Sequence, residues 1–238
     1  MKSTRFLFFS LVFVCLVNKS LAVTSFDNTY TNFKVITHPL IEQKLTIMRD
    51  KHTSSMIFRQ MLDEISMLMG YEITRHIRTK ELKIETPLGR TVGKKLAQEV
   101  VIVPILRAGL GMISGLHKLI PSADIAHIGL YRDPLTKKPV EYLFKHPKVT
   151  NQLFIVVDPM LATGNSAVYA VQKLIDIGVS PDQIIFMVLV AAPEGVKTFT
   201  FAHPKVRIYA AALDEKLNSH AYIVPGLGDA GDRLFGTK

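Results

Sequence analysis

From Val100 onward the chain repeats one arrangement: a short, nearly continuous apolar run, then a segment with helical spacing. The runs are "VVIVPIL", "DIAHIGLY", "QLFIVVD", "IIFMVLVAA" and "VRIYAAAL". Runs of this length without polar alternation suit strands buried on both faces, the usual condition of a parallel sheet. Among them stand "GLGMISGLHKLI", "SAVYAVQKLIDIG" and "PEGVKTFTFAHP", which read as helices. The first stops before Pro121. The last has Pro193 at its first helical position, where a missing N–H is no loss. Strands alternating with helices predict an α/β fold: a mainly parallel sheet flanked by helices. Ligands of such sheets sit at the carboxyl ends of the strands. One interval differs: "RDPLTKKPVEYLFKHPK" is polar and broken by prolines, and predicts a mobile loop or a short exposed ribbon.

Before Val100 the pattern is helical. In "HPLIEQKLTIMRDK", Ile41, Leu45 and Met48 recur on one helical face. In "SSMIFRQMLDEISMLMG", Ser54 or Ser55 is a candidate cap, Ile57, Met61, Ile65 and Met69 form a stripe, and Gly70 is a stop signal. A Met-rich stripe at this spacing reads as core filling rather than as a cofactor surface. "ELKIETPLGRTV" alternates and turns around Pro87 to Gly89, which predicts a hairpin arm in a small hood region beside the sheet.

The first residues are a separate matter. "MKSTRFLFFSLVFVCLVNKSLA" places Lys2 and Arg5 before an apolar stretch and ends in small residues at Ala22, the pattern of a secretory leader. The expected division is a leader over 1–22, a linker over 23–33 and one domain over 34–238. The leader contains Lys2, Arg5 and Lys19 and no acid, so without it the net charge of +9 becomes +6. It also holds the one cysteine, Cys15, so the remainder has no thiol or disulfide chemistry. An apolar content of 48% excludes a disordered chain. The positive charge favours acidic partners such as phosphates or nucleic acid. His38, His117, His127 and His146 are isolated, without metal-ligand spacing, and read as surface or core residues.

The segment "VVDPMLATGNS", residues 156–166, carries the chemistry. An apolar strand ends in Asp158, and a loop of small residues leads into a helix. Backbone N–H groups at a helix start bind phosphate. Thr163 and Ser166 add hydroxyl donors, and Gly164 gives room for close approach. Asp158 would repel a phosphate but can accept from sugar hydroxyls, so the pair of features suggests a phosphorylated sugar. The plainer alternative is a strand-to-helix turn with Asp158 and Ser166 as caps. Arg107, at the end of "VVIVPIL", suits diphosphate oxygens, although by position alone a structural ion pair is the commoner use of such a residue. In the tail "IVPGLGDAGDRLFGTK", Gly226, Gly228 and Gly231 permit positive φ and close backbone approach, as needed to read a planar base. Ile223, Val224, Leu227, Leu234 and Phe235 are too apolar for a solvated terminus.

"IVVDPMLATGNSA" resembles the phosphoribosyl-pyrophosphate (PRPP) motif of the type I phosphoribosyltransferases, and its Asp-Pro pair resembles the uracil phosphoribosyltransferases among them. "VPILRAGLGM", "GLYRD" and "YIVPGLGDAGDRLFGTK" resemble the same family in the same order, from about Phe33 to the end. Two departures stand out. Asn165 occupies a position that is commonly glycine, which suggests a backbone role and a tolerated positive φ. Residues 1–32 have no counterpart in the family core.

The resemblance implies PRPP contacts from Arg107, Arg132, Asp158, Pro159, Met160, Leu161, Ala162, Thr163, Gly164, Asn165, Ser166 and Asp229. It implies uracil contacts from Ile223, Gly228, Asp229 and Ala230. Lys137 and Lys138 lie on the polar loop and read as solvated, with diphosphate within reach of that loop. The implied reaction is uracil plus PRPP giving UMP and diphosphate in pyrimidine salvage. No protein nucleophile is needed, and Mg2+ is carried mainly by the PRPP diphosphate. Members of the family form dimers or larger oligomers, and some are activated by GTP. A cytoplasmic location follows from the substrates, in conflict with the leader. The alternative is a nucleotide-sensing RNA-binding regulator of the same fold. Against it, the lysines and arginines form no dense basic stripe with interleaved aromatics.

Overall fold

The computed structural model describes residues 29–133 and 139–237. The chain opens with β1 (Phe33–Val35), α1 (Pro39–Arg49) and α2 (Ser55–Ile73), then the hairpin β2 (Thr79–Thr86) and β3 (Gly89–Leu96). Next come β4 (Val100–Leu106), a 3-10 turn over Ala108–Met112, α3 (Ile113–Leu119), β5 (Asp124–Ile125), β6 (His127–Arg132) and β7 (Pro139–Lys145). They are followed by β8 (Leu153–Leu161), α4 (Asn165–Asp176), β9 (Ile184–Ala191), α5 (Pro193–Ala202) and β10 (Arg207–Leu213). The short pair β11 (Lys216–Leu217) and β12 (Ile223–Val224) and the helix α6 (Ala230–Phe235) complete it.

The apolar runs become one sheet in the order β1-β10-β9-β8-β4-β6-β7, with β5 paired to β4 off this path. Every pairing is parallel except β6 with β7. The chain leaves β4 toward β6 on one side and later returns to its other side as β8. That reversal opens a crevice at the carboxyl ends of β4 and β8, the expected place for a ligand.

Alternation along β4 and β8 builds two cores. Val100, Ile102, Ile155 and Val157 face Phe58, Met61, Ile65, Met112 and Leu234 on one side. Val101, Val103, Phe154 and Val156 face Val171, Leu174, Val196 and Phe199 on the other. Each fully buried aliphatic or aromatic side chain stabilises the fold by about 1.5–3 kcal/mol relative to exposure. No helix among the described residues is long and apolar enough to cross a membrane.

Several expectations shift in detail. In α2 the first core position is Phe58 rather than Ile57, which is only half-buried. Gly70 does not stop that helix, which runs on to Ile73. A Cβ at Gly70 would lie 2.6 Å from Leu116 Cδ2, so the glycine serves the close crossing of α2 and α3. "DIAHIGLY" is broken at Ala126 into β5 and β6, both paired to β4. The strand after residue 152 does not end at Asp158. It leaves β4 at Val157 and continues beside β9 to Leu161. The polar interval is a ribbon, β7 lying antiparallel to β6; Lys137 and Lys138 fall outside the described residues, as does the leader. The tail, which shows no period in sequence, contains β12 and α6. Phe33 is buried in β1, and the Asn32 side chain donates to the Val206 carbonyl at 2.9 Å. The hairpin is an exposed two-stranded arm, as its alternation predicts. Among the histidines, His38 caps α1, and the buried His203 ring pairs with the Val168 carbonyl at 3.0 Å.

Candidate active site

The crevice holds a cavity of about 520 Å3, a size suited to a nucleotide-sized ligand. Its floor is the end of β8 and the loop that follows. Pro159 has no N–H for the ladder, and pairing with β9 skips it, joining Asp158 to Val188 and Met160 to Val190. The turn in the strand is tied by the Asp158 carboxylate, whose Oδ1 accepts from the Met160 N–H at 3.3 Å. Gly164 then takes φ +86 and becomes the residue before α4. No side chain among the described residues caps α4. Its start therefore presents first-turn N–H groups and the positive end of its dipole to the cavity wall made by Gly164, Ser166 and Ala167. The plain turn with Asp158 and Ser166 as caps is not what forms.

Backbone contact holds this loop in place. A Cβ at Gly164 would stand 2.9 Å from the Gly195 carbonyl oxygen, and one at Gly195 would stand 2.4 Å from the Ala162 oxygen. The first turn of α5 thus lies directly under the loop. Gly195 escaped notice in the sequence, although a glycine inside a helix costs about 1 kcal/mol against alanine and signals such a contact.

Arg107 sits at the end of β4 and lines the same cavity. Its guanidinium lies 5.7 Å from the Phe235 ring centre, and no carboxylate pairs with it among the described residues, so the ion-pair alternative is not realised. Arg132 is the last residue of β6, at the same end of the sheet.

The opposite wall comes from the tail. The Val224–Pro225 peptide is cis, and Gly226 and Gly228 take φ of 59 and 78. Gly231 does not use positive φ; it lies inside α6. Ile223, Gly228, Asp229 and Ala230 all line the cavity. Asp229 also caps α6, its Oδ1 accepting from the Asp232 N–H at 2.9 Å. Burial pulls the neighbouring Arg233 guanidinium below its usual pKa, but it remains charged at any physiological pH.

Most of the expected residues therefore converge. Asp158, Met160, Leu161, Ala162, Thr163, Gly164 and Ser166 line the cavity from one side. Pro159 and Asn165 do not: Pro159 is buried in the strand, and the Asn165 side chain is exposed. Asn165 is the first residue of α4, and the positive φ expected there belongs to Gly164. The strap Asn218 to Tyr222 was missed in sequence, yet His220, Ala221 and Tyr222 line the cavity. Asn218 Oδ1 accepts from the N–H groups of His220 and Tyr222 at 2.9 and 3.0 Å, holding Ala221 at φ 62. The "LNSHA" stretch carried the sign of this Asx turn.

Chemically the cavity has an anion end, made by the start of α4 and Arg107, and an acceptor, Asp158, where sugar hydroxyls would lie. It also has a wall of close backbone at Ile223 and Gly228 to Ala230, which includes the Asp229 carboxylate. No group of three or more His, Cys, Asp or Glu side chains suited to a metal occurs among the described residues.

Comparison with known proteins finds relatives along most of the chain. A family model described as "Uracil phosphoribosyltransferase" matches residues 11–237. Curated proteins named uracil phosphoribosyltransferase are similar along nearly their whole length. That of Lactococcus lactis subsp. cremoris is 55% identical over 210 residues, 87% of this chain and 100% of its own. That of Streptococcus pneumoniae is 58% identical over 207 residues, 86% of this chain and 98% of its own. A solved structure of a protein from Aquifex aeolicus is 33% identical with a TM-score of 0.81, covering 85% of this chain and 97% of that one. None of these supports the RNA-binding regulator. On its sequence the chain belongs to the uracil phosphoribosyltransferase family.

Proposed function

We propose that the chain transfers the 5-phosphoribosyl group of PRPP to N1 of uracil, giving UMP and diphosphate in pyrimidine salvage. The observation that carries this is the single cavity joining the uncapped start of α4, Asp158, Arg107 and the 223–230 backbone. The 5′-phosphate rests on the N–H groups of the 163–166 loop. Asp158 accepts from the ribose hydroxyls, and Arg107 faces the diphosphate; the resemblance adds Arg132, at the end of β6, to that contact. As the C1–O bond breaks, its electron pair leaves with the diphosphate and the ribose gains oxocarbenium character. Uracil N1 then attacks C1, and the N1 proton passes to the released diphosphate or to water. The protein's contribution is placement and charge stabilisation, without a covalent intermediate. Asp158 and Asp229 are the carboxylates that line the cavity. That donor set suits a Mg2+ that would arrive on the substrate diphosphate and would supply neutralisation of the leaving group's charge. The direct test is diphosphate release from PRPP; release that does not depend on uracil would sink the proposal.

Asp158→Asn is expected to lower kcat/KM for PRPP by about ten- to a hundredfold, since a charge-assisted hydrogen bond contributes about 1.5–3 kcal/mol. Kinetics at varied PRPP, with the melting temperature measured beside them, check it. An unchanged rate at every PRPP concentration removes the assigned role.

A homo-oligomer is part of the same reading. On the β2–β3 arm, Leu82 and Ile84 share one face and are 40% and 42% exposed. A two-stranded arm is marginal alone in water, so an apolar face on it is best used against a second copy. Sedimentation is expected to give a dimer or larger, and the double variant Leu82→Asp, Ile84→Asp a smaller species. A monomeric unmodified protein at micromolar concentration excludes this.

Activation by GTP rests on the family resemblance alone and is read directly as a higher rate on adding GTP. A cytoplasmic site of action rests on where PRPP and UMP occur. Amino-terminal sequencing tests it, because a mature terminus at Val23 in a secreted fraction would contradict it.

A further inference from the structure

We propose that Arg49, Asp214 and Arg233 are positioning residues that set the backbone of the base-recognition loop, and so govern which base is accepted. This rests on the reading that residues 223–230 contact the base. None of the three lines the cavity, so each acts through the loop.

The geometry is a clamp on two consecutive residues. Arg49, the last residue of α1, donates from Nη1 and Nη2 to the two oxygens of Asp214 at 2.8 and 2.6 Å. Nη1 of the same arginine donates to the Gly226 carbonyl at 2.6 Å. The Gly226 N–H donates to Asp214 Oδ2 at 2.8 Å. Both backbone polar groups of Gly226 are therefore held by one ion pair. At the next residue, Arg233 Nη1 donates to the Leu227 carbonyl at 2.8 Å. Arg233 also donates to the carbonyls of Met48 and Asp50, and its guanidinium lies 4.7 Å from the Phe58 ring centre. The end of α1 and the base loop are thus fastened by two guanidinium forks, from opposite ends of the chain.

The fastening decides which groups remain for a ligand. The carbonyls of Gly226 and Leu227 are engaged by arginines outside the cavity, so the base meets the backbone on either side of them, at Ile223 and at Gly228 to Ala230. The turn between has no slack: a Cβ at Gly226 would lie 2.1 Å from the Ile223 oxygen. Asp214 is 5% exposed and Arg49 25%. A buried ion pair adds little to stability compared with well-packed apolar residues. Its use here is directional, because a bidentate fork fixes the orientation of what it holds.

Arg49→Lys keeps the charge and removes the fork. It is expected to raise KM for uracil about tenfold or more, to leave KM for PRPP within about twofold, and to narrow the preference for uracil over cytosine about tenfold, as for a sub-ångström displacement at a site that acts by placement. Gly228→Ala, inside the loop and lining the cavity, is measured beside it. If Gly228→Ala raises the uracil KM and folded Arg49→Lys does not, the clamp proposal fails and the base reading stands. If neither folded variant moves the uracil KM, the base reading itself fails. Equal changes in both KM values, or a lower melting temperature with unchanged base preference, make the clamp merely structural and overturn it. Should Arg49→Lys not fold, Asp214→Asn carries the same comparison. Failure of both to fold also makes the pair a structural element and overturns the proposal.

Discussion

Cytosine is expected to be converted with kcat/KM about 10⁴-fold or more below that of uracil, because a site built for one hydrogen-bonding pattern rejects an analogue that leaves its polar groups unpaired. Uracil offers O2 and O4 as acceptors and N3–H as a donor. Cytosine reverses the pattern at N3 and at position 4. Backbone can meet the uracil pattern closely where Gly228 stands at φ 78 and lines the cavity, with the buried Ile223 as an apolar wall. Such groups cannot rotate to suit cytosine as a side-chain amide could. Asp229 is the competing reader, since a carboxylate also accepts from N3–H. It already caps α6 through Asp232, and removing a cap costs about 1 kcal/mol. Asp229→Ala is therefore expected to weaken PRPP use while base preference stays with uracil. Competing-substrate kinetics measure both, and comparable turnover of the two bases by the unmodified protein rules out backbone readout.

Gly164→Ala is expected to lower kcat/KM for PRPP by about a hundredfold or more, as a misplacement near 1 Å does, while the protein stays folded. Two effects combine. The residue holds φ +86, a region costly for alanine. The new Cβ would meet the Gly195 oxygen at 2.9 Å and Thr198 Cβ at 3.1 Å, so the loop must move off α5. The start of α4 would move with it, taking its N–H groups away from the phosphate. Circular dichroism with PRPP-dependent kinetics checks both halves, and full activity in a folded variant contradicts the cradle.

The sheet was legible because its signal is local: "VVIVPIL" and "IIFMVLVAA" are apolar throughout and became β4 and β9 within a residue or two. Asp158 and its loop were legible for the same reason, as they follow one such run. What escaped depends on distant partners. β1 has three residues and exists because β10 accepts it. Gly70 is a stop signal in sequence and a helix-crossing point in space, since Leu116 is what decides its use. The strap at His220 to Tyr222 reaches the cavity through an Asn218 turn that leaves no apolar period. Arg49 and Asp214 look like ordinary surface charges until the fold brings residues 165 positions apart into one fork.

The place of β1 has a consequence for the order in which the chain can fold. Phe33 pairs with Ile208 and Val35 with Ala210, and β10 is the one sheet neighbour of β1 among the described residues. During synthesis the first described strand of the large sheet must wait for the last strand of that sheet before it has a ladder to join, and such long-range closure is slow. The strands β4, β8 and β9, which carry the proposed phosphate cradle, lie between these two in sequence. They can assemble while β1 is still without its partner, and the base-recognition loop, later than β10, is added last. A ribosome-bound chain that has released β9 and α5 but not the tail therefore has the 163–166 loop and Arg107 before it has Asp229 and the residues proposed to meet the base. Pulse-labelled nascent chains would show that order as protection of the 163–166 loop preceding protection of residues 223–230.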